Sequence, residues 1–145
     1  MRVIMIAIVL LSLCCQALAQ EASSRPQNAA LYIISPHSGE VVNSPVRVRF
    51  GLSGMGIAPA GIQLADTGHH HLLVDLEELP DLNQPLPATA QIIHFGKGQT
   101  ETEVDLPPGR HTLRLMLGDY LHRPHDPPLY SPEVTIEVAA PAGKE

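Results

Sequence analysis

The sequence predicts an all-β domain, a seven-stranded antiparallel β-sandwich of the Ig-like or fibronectin type. Short segments in which apolar and polar residues alternate recur along the chain, and this period of two is typical of strands with one buried face. Fourteen prolines and eleven glycines separate the segments and leave little room for helices. The chain has no tryptophan, so the Cys…Trp…Cys pattern of true immunoglobulin domains is absent and the fibronectin-type or bacterial Ig-like sandwich is favoured.

Three strands are predicted in the first half of the domain. Residues 31–35 form an apolar segment that ends at Pro36. Residues 46–52 alternate cleanly, with both arginines on the face opposite the apolar side chains. The third strand covers residues 69–76 and begins within a histidine triplet.

Four more strands complete the predicted sandwich. Residues 91–95 form a short strand, and residues 101–106 place acidic side chains on one face and apolar ones on the other. A Pro-Pro-Gly turn at 107–109 leads into a strand over 111–117 with leucines on one face, and residues 134–138 form the last strand.

The N-terminus has the features of a secretory signal, predicted over residues 1–19. Arg2 precedes an apolar run at 3–13, which is too short to span a bilayer, and residues 17–19 form an A-x-A cleavage site. We therefore expect a periplasmic or secreted protein without a transmembrane segment. Lipidation of a signal cysteine is the alternative, disfavoured because bulky Leu13 precedes the first one. Beyond the signal, the predicted organisation is a flexible leader at 20–30, the sandwich domain at 31–138 and a flexible tail at 139–145.

Composition excludes several kinds of site. Both cysteines, Cys14 and Cys15, lie inside the predicted signal, so the mature chain would have neither a disulfide nor a thiolate metal site. Without a cysteine nucleophile or a G-x-S-x-G elbow, nucleophilic catalysis is not indicated. The net charge of −6 argues against nucleic-acid binding and favours cations.

Six of the eight histidines lie in three short segments, at residues 69–71, at His94 and at His122 with His125. In an Ig-like sandwich, the loops that contain or adjoin these segments lie at the same end of the molecule. The predicted topology therefore gathers them, while His37 and His111 fall at the opposite end.

The spacing of these histidines suits a metal ion. His69 and His71 would point to one face of a strand, roughly 6.6 Å apart along the chain. Neutral imidazole without sulfur is a ligand set for Cu(II) or Zn(II). The predicted ligands, which need not all bind at once, are His69, His71, His94, His122 and His125. Secondary candidates, as ligands or as groups that orient them, are His70, Asp119, Asp126, Glu101 and Lys97.

A structural interpretation stands beside the metal one. The triplet could be a polar junction between loop and strand, with His70 packed on the apolar face, and His94 could cap the core. His122 and His125 could serve only to hydrogen-bond a proline-rich loop. His111 follows the Pro-Pro-Gly turn, where related sandwiches place a corner tyrosine, so a structural role is expected there.

Several longer motifs resemble a known family. The segments at 54–61, 67–73, 94–101 and 117–119, together with His125-Asp126-Pro127-Pro128, are similar to the bacterial exported domain-of-unknown-function family 4399. The resemblance covers about residues 31–138 and implies no activity, cofactor or partner.

The sequence predicts an exported, non-enzymatic protein that binds a divalent transition metal. Its role would be metal binding, metal delivery or metal sensing. The alternative is an interaction module for an envelope protein, in which the histidines form a structural hydrogen-bond network. A metal-dependent enzyme is a third possibility, which would need an open coordination position beside an acid or base such as Glu101 or Asp126.

Overall fold

A computed structural model describes residues 22–141, and the predicted signal and the last four residues of the predicted tail lie outside this range. The described residues form strands and no helix. The strands are β1 (Ala30–Ser35), β2 (Val41–Val42), β3 (Val46–Ser53), β4 (Gly56–Ile57), β5 (Thr67–Val74), β6 (Ile92–His94), β7 (Glu101–Val104), β8 (Gly109–Gly118) and β9 (Val134–Val138).

The seven predicted strands all have counterparts, and the structure adds β2 and β4 within residues 22–141. Both additional strands are two residues long, and each pairs in parallel with a longer strand, β2 with β9 and β4 with β5. Two residues are too few to show an alternating pattern, which explains why the sequence did not predict them.

The strands form two sheets with the core between them. The smaller sheet has the order β1-β3-β7 and the larger one β2-β9-β8-β5-β4, with β6 also pairing with β5. Alternate side chains of β3 meet the inward side chains of β5 and β8, because successive residues of a strand point to opposite faces. The all-β sandwich is therefore confirmed.

The outer face of the larger sheet is also covered. Met116 and Leu73 pack there with Ile92 and with Leu86, which lies in the connection between β5 and β6. This second cluster explains why β5 is buried almost without interruption, since a strand covered on both faces has no solvent-exposed side.

The residues just before β1 lie against the connection between β8 and β9. The Ser23 hydroxyl donates to Asp119 Oδ2 (3.0 Å), and Arg25 Nε donates to the Pro127 carbonyl (2.7 Å). The predicted leader thus contacts the domain through its described part. No helix within residues 22–141 has the length and apolar character needed to cross a membrane.

Candidate metal centre

Three histidines meet on the outer face of the larger sheet because of strand alternation and register. His69 and His71 are two residues apart on β5 and therefore share a face. In the antiparallel pairing of β5 with β6, His71 lies directly opposite His94. Directly opposed residues of an antiparallel pair project to the same side, so the three imidazoles converge. Their ring centroids lie 4.9 to 5.2 Å apart.

A fourth imidazole comes from the connection between β8 and β9. The His122 ring centroid lies 5.0 Å from that of His69, 6.1 Å from that of His71 and 4.7 Å from that of His94. We call these four residues the histidine cluster. The backbone of His122 has a φ of 66°, a left-handed conformation that is uncommon for a residue with a side chain.

The ring nitrogens of His69, His71 and His94 are close enough to hold a metal ion. One ligand atom from each of His69, His71 and His94 lies within 4.8 Å of the other two. Two nitrogens bound to one ion lie within about 4 Å of each other, because each zinc–nitrogen bond is about 2 Å long. The three side chains are thus near ligating distance.

Most of these nitrogens are buried and have no hydrogen-bond partner among residues 22–141. Both ring nitrogens of His69, both of His71 and Nε2 of His94 are in this state. His69 and His71 are fully buried, whereas His94 and His122 are partly exposed. Buried polar atoms in folded proteins are nearly always hydrogen-bonded, so this concentration of unpartnered nitrogens needs an explanation.

Two glycines provide the space for the rings. A Cβ atom on Gly96 would lie 2.3 Å from His94 Cε1, and a Cβ atom on Gly118 would lie 2.7 Å from His71 Cε1. Gly118 is the cross-strand neighbour of His69, so a side chain there would project into the histidine cluster. Neither glycine was predicted from the sequence to be part of the site, although both lie in motifs noted there.

Burial keeps the rings of His69, His71 and His94 neutral. Desolvation, followed by the neighbouring His122 and His94, lowers the pKa of His69 to about 4. Desolvation and then the other three rings lower the pKa of His71 to about 3. The pKa of His94 is also lowered, by burial and by His122. Neutral imidazoles keep the lone pair that a metal ion requires.

The remaining histidines of the chain lie elsewhere. His70 points to the inner face of β5, where its ring lies 5.0 Å from that of Phe50 and its Nδ1 lies 3.2 Å from the Gln99 carbonyl. His111 bridges Asp75 (2.7 Å) and the Pro107 carbonyl (2.8 Å), a structural position as predicted.

His125 is the one predicted ligand that the structure places outside the histidine cluster. It is buried, its Nε2 lies 3.2 Å from the Thr67 carbonyl oxygen, and its Cε1 would lie 3.0 Å from a Cβ atom on Gly68. Gly68 and His70 are two residues apart on β5 and share a face. His125, which lies beside Gly68, is therefore on the side of β5 opposite to His69 and His71.

The other secondary candidates have different partners or are exposed in the described part of the chain. Asp119 uses its carboxylate for hydrogen bonds to Ser23 and to the backbone of its own loop. Asp126 is exposed, as is Lys97. Glu101 lies on β7 of the smaller sheet, where its carboxylate is 3.8 Å from Arg49.

The histidines converge for a different reason from the one used in prediction. The predicted convergence depended on loops that share one end of a sandwich. In the structure, β6 lies beside β5 in the larger sheet, and the pairing of His71 with His94 brings these rings together directly. Only His122 comes from a loop.

Comparison with known proteins identifies the family. The family described as "Domain of unknown function (DUF4399)" matches residues 48–139, and the chain belongs to this family. The matched region contains all four residues of the histidine cluster. No curated protein and no solved structure matches the chain.

Proposed function

We propose that this member of the DUF4399 family is an exported, non-enzymatic protein that binds one divalent transition-metal ion. His69, His71 and His94 are the proposed ligands, and His122 is the proposed fourth. The observation that carries the proposal is the set of buried ring nitrogens without hydrogen-bond partners within residues 22–141.

A bound cation gives this arrangement a physical reason. Leaving a buried polar group unpartnered costs roughly 1–3 kcal/mol, and here several such groups face one another. A single ion would take one nitrogen from each ring, so it would satisfy one of the two unpartnered nitrogens of His69 and one of those of His71. It would also draw together side chains that already lie at ring-contact distance. Acid would oppose binding, because a protonated imidazole has no lone pair to donate.

The alternative function, an interaction module for an envelope protein with a structural hydrogen-bond network, has weaker support. A network requires each buried nitrogen to have a donor or an acceptor nearby. His111 meets this condition on both nitrogens, whereas His69 and His71 meet it on none in the described chain.

The ligand chemistry favours Cu(II) or Zn(II). An all-nitrogen site without thiolate or thioether suits these ions, whereas Ca(II) takes oxygen ligands. Four imidazoles complete a tetrahedral shell, and catalytic zinc sites keep a position open for water. This supports binding, delivery or sensing in preference to catalysis.

Export and topology complete the proposal. The predicted signal over residues 1–19 supports export to the periplasm or out of the cell. The sheet order β1-β3-β7 against β9-β8-β5, with β6 beside β5, supports a fibronectin-type arrangement in which the fourth of the seven predicted strands, β6, joins the larger sheet.

The test is calorimetric titration of untagged, chelator-treated protein with Zn(II) and Cu(II). We expect one equivalent of metal to bind. We expect His71→Ala to weaken binding by roughly 100-fold or more, which is a larger loss of affinity than is usual when a residue that only supports a ligand is removed. His94→Ala serves as a second variant, since His94 is only partly buried and its loss is a smaller change to the fold.

His37→Ala is the matched control, because the His37 side chain is exposed beside Glu40. Circular dichroism checks that each variant is folded. Wild-type protein that binds neither ion, or folded His71→Ala and His94→Ala that both bind as the wild type does, would overturn the proposed function.

A further inference from the structure

The histidine cluster combines ligands of two kinds. His69, His71 and His94 lie on paired strands, whose register holds them in place. His122 lies on a loop, so its position depends on what holds that loop. Resting on the proposed metal site, we propose that Asp119 is a positioning residue that sets His122 as the fourth ligand, and that Ser23 holds Asp119 in turn.

Asp119 closes the loop that contains His122. Its Oδ1 accepts hydrogen bonds from the backbone N–H groups of Leu121 (2.8 Å) and Arg123 (2.9 Å). Its own backbone N–H donates to the Arg123 carbonyl (2.8 Å), and the His122 N–H donates to the Asp119 carbonyl (2.9 Å). Four hydrogen bonds thus connect Asp119 to His122 and its two neighbours, residues 121–123.

This closure imposes the unusual backbone of His122. A left-handed φ in a residue other than glycine is sparsely populated, and it persists only where the surroundings enforce it. Aspartate side chains stabilise such turns by accepting hydrogen bonds from the backbone two residues further on, as Asp119 does from Leu121. The His122 carbonyl is also anchored, since it accepts from Leu86 N–H (2.7 Å).

The segment before β1 holds Asp119 from the other side. The Ser23 hydroxyl donates to Asp119 Oδ2 (3.0 Å), and the Ser23 carbonyl accepts from the Asp126 N–H (3.0 Å). Ser23 therefore ties together two points of the β8–β9 connection that lie on either side of His122. Asp119 itself is 2% exposed, so these bonds are largely shielded from water.

The consequence concerns the fourth ligand of the ion. With Asp119 in place, His122 remains at ring-contact distance from the other three rings and the ion has four nitrogen ligands. Without the Asp119 carboxylate, the loop loses the hydrogen bonds to Leu121 N–H, Arg123 N–H and Ser23, and three strand-borne histidines remain as ligands. A three-histidine site leaves one position for water, as in catalytic zinc sites.

Co(II) is the probe for the test, because its visible spectrum changes when water replaces a nitrogen ligand, even where the ion stays four-coordinate. The wild type is expected to give the spectrum of a four-imidazole site, and His122→Ala and Asp119→Ala are both expected to change it to that of a site with three imidazoles and water. The double variant should match His122→Ala alone, because both changes remove the same ligand. Zn(II) affinity in Asp119→Ala should fall by about 10- to 100-fold.

Two conservative variants separate positioning from folding. Asp119→Asn keeps an oxygen for the Leu121 and Arg123 N–H groups and should restore the wild-type Co(II) spectrum. Ser23→Ala removes one hydrogen bond and should weaken Zn(II) binding about fivefold. Ser23→Ala also decides the matter if Asp119→Ala fails to fold.

The outcomes distinguish this inference from the proposed function. Wild-type protein that binds neither Co(II) nor Zn(II) would refute the proposed function. Wild-type binding with a Co(II) spectrum that stays unchanged in folded Asp119→Ala, or in His122→Ala, would refute only the positioning role. If Asp119→Ala does not fold, unchanged Zn(II) affinity in Ser23→Ala would refute it.

Discussion

Buried histidines on the two faces of the larger sheet differ in the hydrogen-bond partners of their ring nitrogens. On the inner face, His111 has a hydrogen-bond partner for each ring nitrogen, and His70 has a carbonyl partner for one nitrogen and packs on Phe50. On the outer face, His69 and His71 are equally buried but have no hydrogen-bond partner within residues 22–141. Burial alone therefore does not distinguish a structural histidine from a candidate ligand. The distinguishing feature of His69 and His71 within residues 22–141 is that both ring nitrogens are buried without a partner, whereas His70 and His125 each have one such nitrogen.

The difference arises between consecutive residues. His69, His70 and His71 share composition, strand and burial, yet alternation sends the middle ring to the core and the outer two to the histidine cluster. The following predictions test the contrast between the two faces.

The largest expected effect is acid destabilisation of the metal-free protein, to which rings on both faces contribute. Burial lowers the pKa of His69 and of His70 to about 4 and that of His71 to about 3, against 6.5 in the unfolded chain. Below pH 6.5 the unfolded state therefore binds more protons than the folded state, so stability falls as the pH drops towards these values, by up to about 1.4 kcal/mol per pH unit for each ring. Urea unfolding of chelator-treated protein at pH 7 and pH 5 measures this loss.

The control for acid destabilisation is His37→Ala, which should lose stability as the wild type does, while His71→Leu should lose less. Equal stability of the metal-free wild type at the two pH values would contradict the prediction.

The next effect is on metal affinity at the outer face. Gly118→Ala places a Cβ atom 2.7 Å from His71 Cε1 and should displace that ring, so we expect Zn(II) affinity to fall by about 10- to 100-fold. Gly56→Ala is the matched control, because its Cβ atom would make an ordinary 3.4 Å contact with Thr67 Cγ2. Calorimetric titration compares the two, and equal affinities would show that the histidine cluster does not need the space at Gly118.

A smaller effect, on stability alone, is expected at His111 on the inner face. Burial by itself would lower the pKa of His111, but hydrogen bonds to Asp75 and to the Pro107 carbonyl, with the charges of Asp75 and Glu137, raise it overall. Because both partners are acceptors, the ring donates from both nitrogens and is an imidazolium. His111→Leu should lose about 1.5–3 kcal/mol, the usual value of hydrogen bonds to charged groups.

The pH dependence at His111 has the opposite sign to that of the outer face. A raised folded pKa means that its contribution is complete below pH 6.5 and disappears as the pH rises through the folded value. Urea unfolding of wild type and His111→Leu at pH 6 and pH 9 should therefore show a smaller difference at pH 9. A difference that is the same at both pH values would count against the imidazolium.

The smallest effect is expected at His70. His70→Leu removes one hydrogen bond to the Gln99 carbonyl and keeps an apolar side chain beside Phe50, so the expected loss of stability is about 1 kcal/mol. Zn(II) affinity should stay at the wild-type value, because His70 faces away from the ion. A loss of affinity in this variant, with the fold intact, would show that the two faces are not independent.

The all-β class, the seven longer strands and the shared face of His69 and His71 could all be predicted from the sequence. These features depend on local alternation and on turn residues, which can be recognised within a few neighbouring positions. The same local reasoning anticipated a structural role for His111 after its Pro-Pro-Gly turn.

The distant histidines that join the pair on β5 could be identified only from the tertiary structure. The position of β6 beside β5, and the register that sets His71 against His94, depend on strand pairing between segments far apart in the chain. His122 and His125 lie three residues apart in one loop, yet only His122 reaches the histidine cluster. Loop residues carry no periodic signal, so the hydrogen bonds of Asp119 and the packing around that loop determine where each ring lies.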